Sequence, residues 1–329
     1  MKVLITGGAG FIGYHLANLL VENNYEVVLA DNFSRGVEDK FLKELLQNKN
    51  VQFKCVDLMN FDNVNCLDKD FDYIYHFAAI IGVKNVLKKP YAVLHANVEM
   101  LFNMIDFARQ QNQLKRFVFA STSEVYAGTL MYYGMDIPTP EITPLTLTPL
   151  ENARTSYMFS KLYGEGLLQQ SDIPFTILRP HNFYGSRMGM SHVIPELLKK
   201  AYFANDGENL EVFSVDHSRT FCYISDAVKM IKLLAESDST KNQTYNVGNE
   251  TPEITIQELA EQVLKVTGKN LKILPMPSTP GSPKRRCPSM EKVRKVINYE
   301  SQVSLSEGIK RTFEWYKKYI FDENEMSAE

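Results

Sequence analysis

The first residues of the chain constrain its fold more than any other stretch. Residues 2–6 read KVLIT, an apolar β-forming run, and pass directly into TGGAGFIG at residues 6–13, after which a helical pattern runs to about residue 23. The glycines at 8, 10 and 13 satisfy G-x-G-x-x-G, and those at 7, 10 and 13 satisfy G-x-x-G-x-x-G. Either spacing alone is common. Between a first strand and an amphipathic helix it acquires a physical meaning. Missing side chains let the backbone approach a pyrophosphate, and the helix N-terminus offers N–H groups and a positive dipole end. Gly7, Gly10, Phe11, Ile12 and Gly13 are therefore candidate contacts to a dinucleotide.

The same alternation continues. EVVLA (26–30), VQFKC (51–55), YIYHFAA (73–79), RFVFAST (116–122) and PFTILRP (174–180) are separated by helical patterns at residues 40–47, 60–67, 90–111 and 156–170. Strands alternating with helices build right-handed βαβ units and a parallel sheet covered on both faces. The expected class is α/β: a Rossmann-type doubly wound parallel sheet with a smaller C-terminal substrate-binding domain. Residues 1–180 are expected to form the dinucleotide domain, with segments near 225–250 returning to it. Residues 181–320 form mainly the substrate domain, and the acidic end, 321–329, is expected to be a disordered tail. The net charge of −3 lacks the basic excess that a nucleic-acid grip needs. No apolar run reaches membrane-span length, and the N-terminus lacks a signal-peptide layout. Cys55, Cys66, Cys222 and Cys287 have neither CxxC spacing nor neighbouring His pairs. Reduced thiols in a cytoplasmic protein, without a metal site, are expected. His76, His95, His181 and His217 show no ligand spacing and are given structural places.

Asp31 ends the second strand, about 20 residues beyond the glycines, where a carboxylate accepts from ribose hydroxyls. A carboxylate there repels a 2′-phosphate, so NAD is expected rather than NADP, although Arg35 follows closely. Asn32 stands beside Asp31. Asp57 and Leu58 suit an adenine contact, Phe77, Ala78 and Ala79 suit a strand end against the cofactor, and Asn97 joins the set from the next helix. For Asp31 and Asp57 the plain alternative is a turn cap.

FASTSEVYA, residues 119–127, crowds hydroxyls and a carboxylate behind a core strand, and further on comes YMFSK, residues 157–161. Positions i and i+4 of a helix share a face, so Tyr157 and Lys161 can enter one pocket. A tyrosine acts as a base near neutrality only if its pKa falls by ~3 units, worth ~4 kcal/mol. An adjacent ammonium and an oxidised nicotinamide both push that way.

In this order, TGGAGFIG, Asp31, Asp57, HFAA, STSEVY, YMFSK, RPHNFYG and NVGNE resemble the extended short-chain dehydrogenase/reductase family. More narrowly they resemble its NAD-dependent nucleotide-sugar epimerases, dehydratases and decarboxylases, over residues 2–316. The resemblance implies that Tyr157 takes the proton of the sugar 4-hydroxyl while hydride leaves C4 for NAD. It implies that Lys161 binds the nicotinamide ribose, and that Thr122 bonds the phenol and the sugar O4. Simple 4-epimerases of this kind need no carboxylate at Glu124, whereas dehydratases use one at C5. Ser123 stands where one dehydratase group has an aspartate. The Thr122-Ser123-Glu124 triplet is instead similar to UDP-glucuronate decarboxylases and GDP-mannose dehydratases. Arg286, in an R-x-P context, matches an arginine that assists the decarboxylases. Asn182 and Arg219 match contacts to the sugar, its diphosphate or ribose, and His192 either lines that pocket or starts a helix. The implied partner is a nucleotide-diphosphate sugar, with a UDP-sugar favoured. A homodimer is implied through helices 90–111 and 156–170, whose Leu94, Leu101 and Ile105 face either that interface or the interior of one subunit. The expected activity is transient oxidation of the sugar at C4 followed by dehydration or decarboxylation at C5/C6 through Glu124; the alternatives are a UDP-sugar 4-epimerase and, from another class, a catalytically silent NAD-binding scaffold.

Overall fold

A computed structural model describes residues 1–278 and 282–322. The expected tail at 321–329 therefore lies outside the described residues from 323 onward.

The first half runs β1 (Lys2–Thr6), α1 (Phe11–Glu22), β2 (Glu26–Asp31), α2 (Lys40–Leu45), β3 (Val51–Cys55), α3 (Phe61–Asn65), β4 (Tyr73–His76), α4 (Val83–Lys88), α5 (Pro90–Arg109) and β5 (Arg116–Ala120). A short 3-10 turn at Ser123–Tyr126 leads into α6 (Ala127–Tyr133), and then come α7 (Ala153–Gln169) and β6 (Phe175–Pro180). The remainder comprises β7 (Phe183–Tyr184), α8 (Val193–Phe203), β8 (Asn209–Phe213), β9 (Ser218–Arg219), β10 (Cys222–Tyr223), α9 (Ile224–Glu236) and β11 (Gln243–Val247). It ends with β12 (Ile254–Thr255), α10 (Ile256–Thr267), β13 (Lys272–Met276), β14 (Arg285–Arg286), α11 (Glu291–Val296) and α12 (Leu305–Tyr316).

Seven strands form one parallel sheet in the order β11-β6-β5-β4-β1-β2-β3. β1 shows why its sequence is an unbroken apolar run. Val3 and Ile5 enter the core on one face, with Leu16 and Leu20 of α1 and Leu234 of α9. Leu4 enters the core on the other, with Leu101 and Ile105 of α5 and Leu168 of α7. A strand covered on both faces has no polar side to show. The order reverses between β1 and β4, and at that reversal the carboxyl ends of the strands open a crevice. β11 adds the outer strand beside β6, so residues 243–247 lie in the main sheet.

Three differences from the sequence expectations matter later. Helix α6 lies where only a Thr- and Pro-rich loop was expected, because AGTLMYY is short and carries a glycine and two tyrosines. Helix α7 begins at Ala153 rather than residue 156, which brings Arg154 into its first turn. Leu101 and Ile105 are buried within the subunit, while Tyr91 and Phe102 of α5 and Tyr163 of α7 are exposed.

Candidate active site

The crevice begins at the glycine loop. Gly7 has φ +69°, and a Cβ there would stand 2.9 Å from the Ala78 nitrogen; a Cβ on Gly13 would stand 2.3 Å from the Gly7 carbonyl oxygen. Only glycine lets the loop, the end of β4 and α1 approach this closely. Gly10 occupies the N-cap of α1, and no side chain caps the helix, which leaves its first-turn N–H groups for an anion. These features fit the diphosphate of NAD. The Asp31 carboxylate accepts from Ala9 N (3.1 Å) and Phe33 N (2.8 Å), so it braces the loop as well as ending β2. Asn32 and Asp57 are exposed, and each caps a turn, accepting from Ser34 N and Met59 N. Phe77, Ala78 and Ala79 are half-buried behind β4, with Ala78 N donating to the Thr6 hydroxyl.

Leu58 and Asn97 also make contacts within the protein. The Leu58 side chain is buried in the core, and the Leu58 carbonyl takes the Asn103 amide. Asn97 spends its amide on both backbone groups of Ile80 and on the Ser160 hydroxyl. It fixes the loop after β4. Arg35, considered in sequence beside Asp31, instead lends its charge to Tyr157 and His192.

FASTSEVYA divides its side chains between two sides. Ser121 donates to Glu165 at 2.5 Å, Arg179 clasps Glu165 at 3.0 and 2.7 Å and donates to the Tyr126 hydroxyl, and Tyr126 donates to Asn246. This network is buried, and it ties together β5, α7, β6 and β11 as a rigid floor. Ser123 is also buried. Thr122 and Glu124 stand outside that network. The Thr122 oxygen accepts the Glu124 N–H at 3.2 Å, and its hydroxyl favours the ionised form of Tyr157. Glu124 Oε1 lies 3.1 Å from Arg154 Nη2 and 3.9 Å from Arg286 Nη2.

The electrostatics of the protein alone run against catalysis. Burial, followed by the charge of Glu124, pushes the Tyr157 phenol above its ordinary value, while Thr122 and Arg35 pull it down. Lys161 is 4 % exposed, and burial lowers its ammonium to about 7. Its Nζ stands 4.8 Å above the Phe119 ring.

Beyond the crevice, Asn182, Leu197, Phe213, His217, Arg219 and Ser282 line a cavity of about 250 Å³. Asn182 has φ +44° and donates its amide to the Thr220 carbonyl. Arg219 spends its guanidinium on Ser282 and on the carbonyls of Ser218, Pro283 and Lys284; burial and Arg286 push its pKa down to about 9. Its observed work is to fasten the wall formed by residues 282–284. His192 is the N-cap residue of α8 but makes no side-chain cap. Arg285 turns away from Arg286 and pairs with Glu253.

A family model described as the NAD dependent epimerase/dehydratase family matches residues 3–248. The chain belongs to this family. A UDP-N-acetyl-alpha-D-glucosaminuronate decarboxylase of Bacillus cytotoxicus is 30% identical over 96% of this chain and 98% of its own length. UDP-glucuronic acid decarboxylase 5 of Arabidopsis thaliana is 32% identical over 94% of this chain and 87% of its own. The crystal structure of UDP-glucuronic acid 4-epimerase from Bacillus cereus, complexed with UDP-glucuronic acid and NAD, superposes with a TM-score of 0.83. It is 28% identical and covers 97% of this chain and 99% of that one.

For this epimerase/dehydratase chain the structure adds Arg154 and Phe213, which the sequence did not mark, and brings His217, given a structural place in sequence, to the cavity wall. Arg154 was hidden because the start of α7 has no side-chain cap to announce it. Phe213 and His217 reach the cavity from β8 and the turn after it, where only an ordinary alternating strand, NLEVF, was legible.

Proposed function

We propose that the chain is an NAD-dependent decarboxylase of a UDP-linked uronic acid. The observation that carries this reading is Glu124, held between Arg154 and Arg286 and close enough for its charge to act on Tyr157. The two decarboxylases named above support it.

NAD, held by Gly7, Gly10, Gly13 and Asp31, would supply the hydride acceptor for C4 and a positive ring charge. The Tyr157 phenolate, to which Thr122 donates, takes the 4-hydroxyl proton and becomes the neutral phenol. A ketone at C4 makes the C6 carboxylate a β-keto acid. The C5–C6 bond then breaks, CO2 leaves, and the electron pair stays in an enolate on O4. Glu124 serves proton return at C5, and Arg286 offsets the gathered negative charge. Asn182 and the Phe213–His217 wall receive the nucleotide.

A second reading, 4-epimerisation with Glu124 as a bystander, is favoured by the similarity to the UDP-glucuronic acid 4-epimerase. A homodimer on the outward faces of α5 and α7 accompanies the proposal, supported by the exposed Phe102 and Tyr163; a monomer mass in light scattering would count against it. A cytoplasmic location is supported by the four unpaired thiols. Among the described residues no helix is long and apolar enough to cross a membrane.

Glu124→Gln separates the two readings. Under decarboxylation the variant still oxidises C4, seen as reduced-nicotinamide absorbance, but releases little product. Because the Glu124 charge raises the phenol, that oxidation should also extend to lower pH. Full turnover by Glu124→Gln would overturn the role assigned to Glu124.

A further inference from the structure

The chain between β2 and α2 folds back over Asp31 and the glycine loop. A Cβ on Gly36 would stand 2.6 Å from the Ala9 Cβ and 2.9 Å from each carboxylate oxygen of Asp31, so only glycine fits this approach. Val37 N meets the Ala9 carbonyl at 3.5 Å, the long limit of a hydrogen bond. A stronger tie on residues 37–39 comes from far along the chain, from the segment between β7 and α8. Arg187 Nε donates to Asp39 Oδ2 at 2.7 Å and Nη2 to the Val37 carbonyl at 3.3 Å, while Cζ stands 4.1 Å from the centre of the Tyr14 ring on α1. Asp39 passes this restraint on, because its Oδ1 caps α2 by accepting from Leu42 N at 2.9 Å. Arg187 is carried on a segment that is itself fastened: the Ser186 carbonyl bonds His15 Nε2 at 2.9 Å, and the Met188 carbonyl accepts from Tyr316 of α12. Its backbone sits at φ +61°, a left-handed conformation that costs a non-glycine residue about 1–2 kcal/mol. The Arg187 side chain is 4 % exposed, yet its Nη1 has no hydrogen-bond partner among the described residues. That unmade bond costs about 1–3 kcal/mol, so the tie is weaker than a fully bonded buried pair and is able to open.

We propose that Arg187 is a latch on the cofactor: by tying Asp39 and Val37 to the segment between β7 and α8, it keeps residues 33–39 closed over the adenosine half of NAD and sets how slowly NAD leaves. Arg187 is a positioning residue, acting through the loop and touching no reacting atom. An enzyme that returns its hydride within each turnover has no need to exchange NAD, and a latch suits it. The inference rests on NAD being held by the glycine loop and Asp31, and it holds whether decarboxylation or epimerisation follows.

The test is calorimetric binding to the full chain stripped of NAD, with NAD and ADP-ribose as probes, together with the rate of NAD release. Arg187→Met keeps an unbranched stem against Tyr14 and removes the charge. It should weaken both probes alike, by about 10- to 100-fold, the range for a charge-assisted hydrogen bond, and speed NAD release by a similar factor. Arg187→Lys retains an ion pair with Asp39 and should recover part of the loss. Asp39→Asn preserves the cap of α2 while removing the charge, and should weaken both probes in the same sense. Because the two residues act as one unit, the double variant should bind no more weakly than Arg187→Met. Unchanged NAD affinity and release in Arg187→Met overturns the latch, even if Tm falls, since a purely structural pair would move Tm alone. A loss confined to NAD with ADP-ribose unaffected, or additive losses in the double variant, also overturns it. Should Arg187→Met fail to fold, Asp39→Asn decides: wild-type NAD affinity and release in that variant overturns the proposal. Wild-type protein that binds neither probe overturns the cofactor site itself, and the latch with it.

Discussion

Replacing Lys161 by methionine should destroy activity and yet stabilise the NAD-stripped protein. Lys161 is 4 % exposed, stands over the Phe119 ring, and among the described residues has no carboxylate within ion-pair distance. Burial moves its pKa from 10.5 to about 7. The unfolded chain holds this proton up to pH 10.5, but the folded chain releases it near 7. Between those values the unfolded state binds more protons, so wild-type stability rises with pH; at pH 7 and below the full penalty applies. A shift of that size corresponds to a ceiling of about 5 kcal/mol, of which relaxation and water entry leave roughly half or more. Methionine matches the unbranched lysine stem, carries no charge, and makes a favourable sulfur–ring contact. For 329 residues the unfolding entropy is about 0.7 kcal/mol/K, so the expected rise in Tm at pH 7 is roughly 3–7 °C. Scanning calorimetry at pH 7 and pH 9 reads it directly. The gap between variant and wild type should shrink at pH 9, where most of the penalty is gone. A variant no more stable than wild type at pH 7, or a gap that ignores pH, refutes the reasoning.

Acid should weaken the fold once the pH falls below 6.5. His76 and His181 are each 1 % exposed, and burial pushes both pKa values down to about 3. The unfolded chain protonates them near 6.5 while the native chain does not, so stability falls as pH drops below 6.5. At pH 5.5 the two cost together about 3 kcal/mol, or roughly 4 °C in Tm; a flat Tm between pH 7.5 and 5.5 would contradict their burial as neutral rings. Gly13→Ala places a Cβ 2.3 Å from the Gly7 oxygen, so the loop must open. It should cost at least a few kcal/mol and let NAD wash out on gel filtration; retained NAD would show that the loop is looser than its geometry.

What the sequence disclosed, and what it hid, follows from how each feature is encoded. The sheet was legible because a strand buried on both faces needs an unbroken apolar run, as Val3, Leu4 and Ile5 show. The glycine loop was legible because a close backbone approach forbids a Cβ at Gly7 and Gly13. Arg154 and Arg286 carry no such local constraint. Their pairing with Glu124 joins residues distant in the chain, and no spacing rule encodes a meeting of α7, β14 and the end of β5. The same distance hid the division of FASTSEVYA. Ser121 and Tyr126 serve a buried network through Glu165, Arg179 and Asn246, whereas Glu124 pairs with Arg154. The bracing role of Asn97 was hidden for a related reason, since no spacing rule encodes a helix side chain that bonds both backbone groups of Ile80.

The central claim, that Glu124 and its two arginines serve loss of a carboxylate, is tested most directly with UDP-glucuronic acid labelled at C6. The NAD-loaded wild-type enzyme should release one labelled CO2 for each sugar consumed, with no net reduction of NAD. Complete retention of the label in a nucleotide sugar inverted at C4 would contradict the account and leave an epimerase.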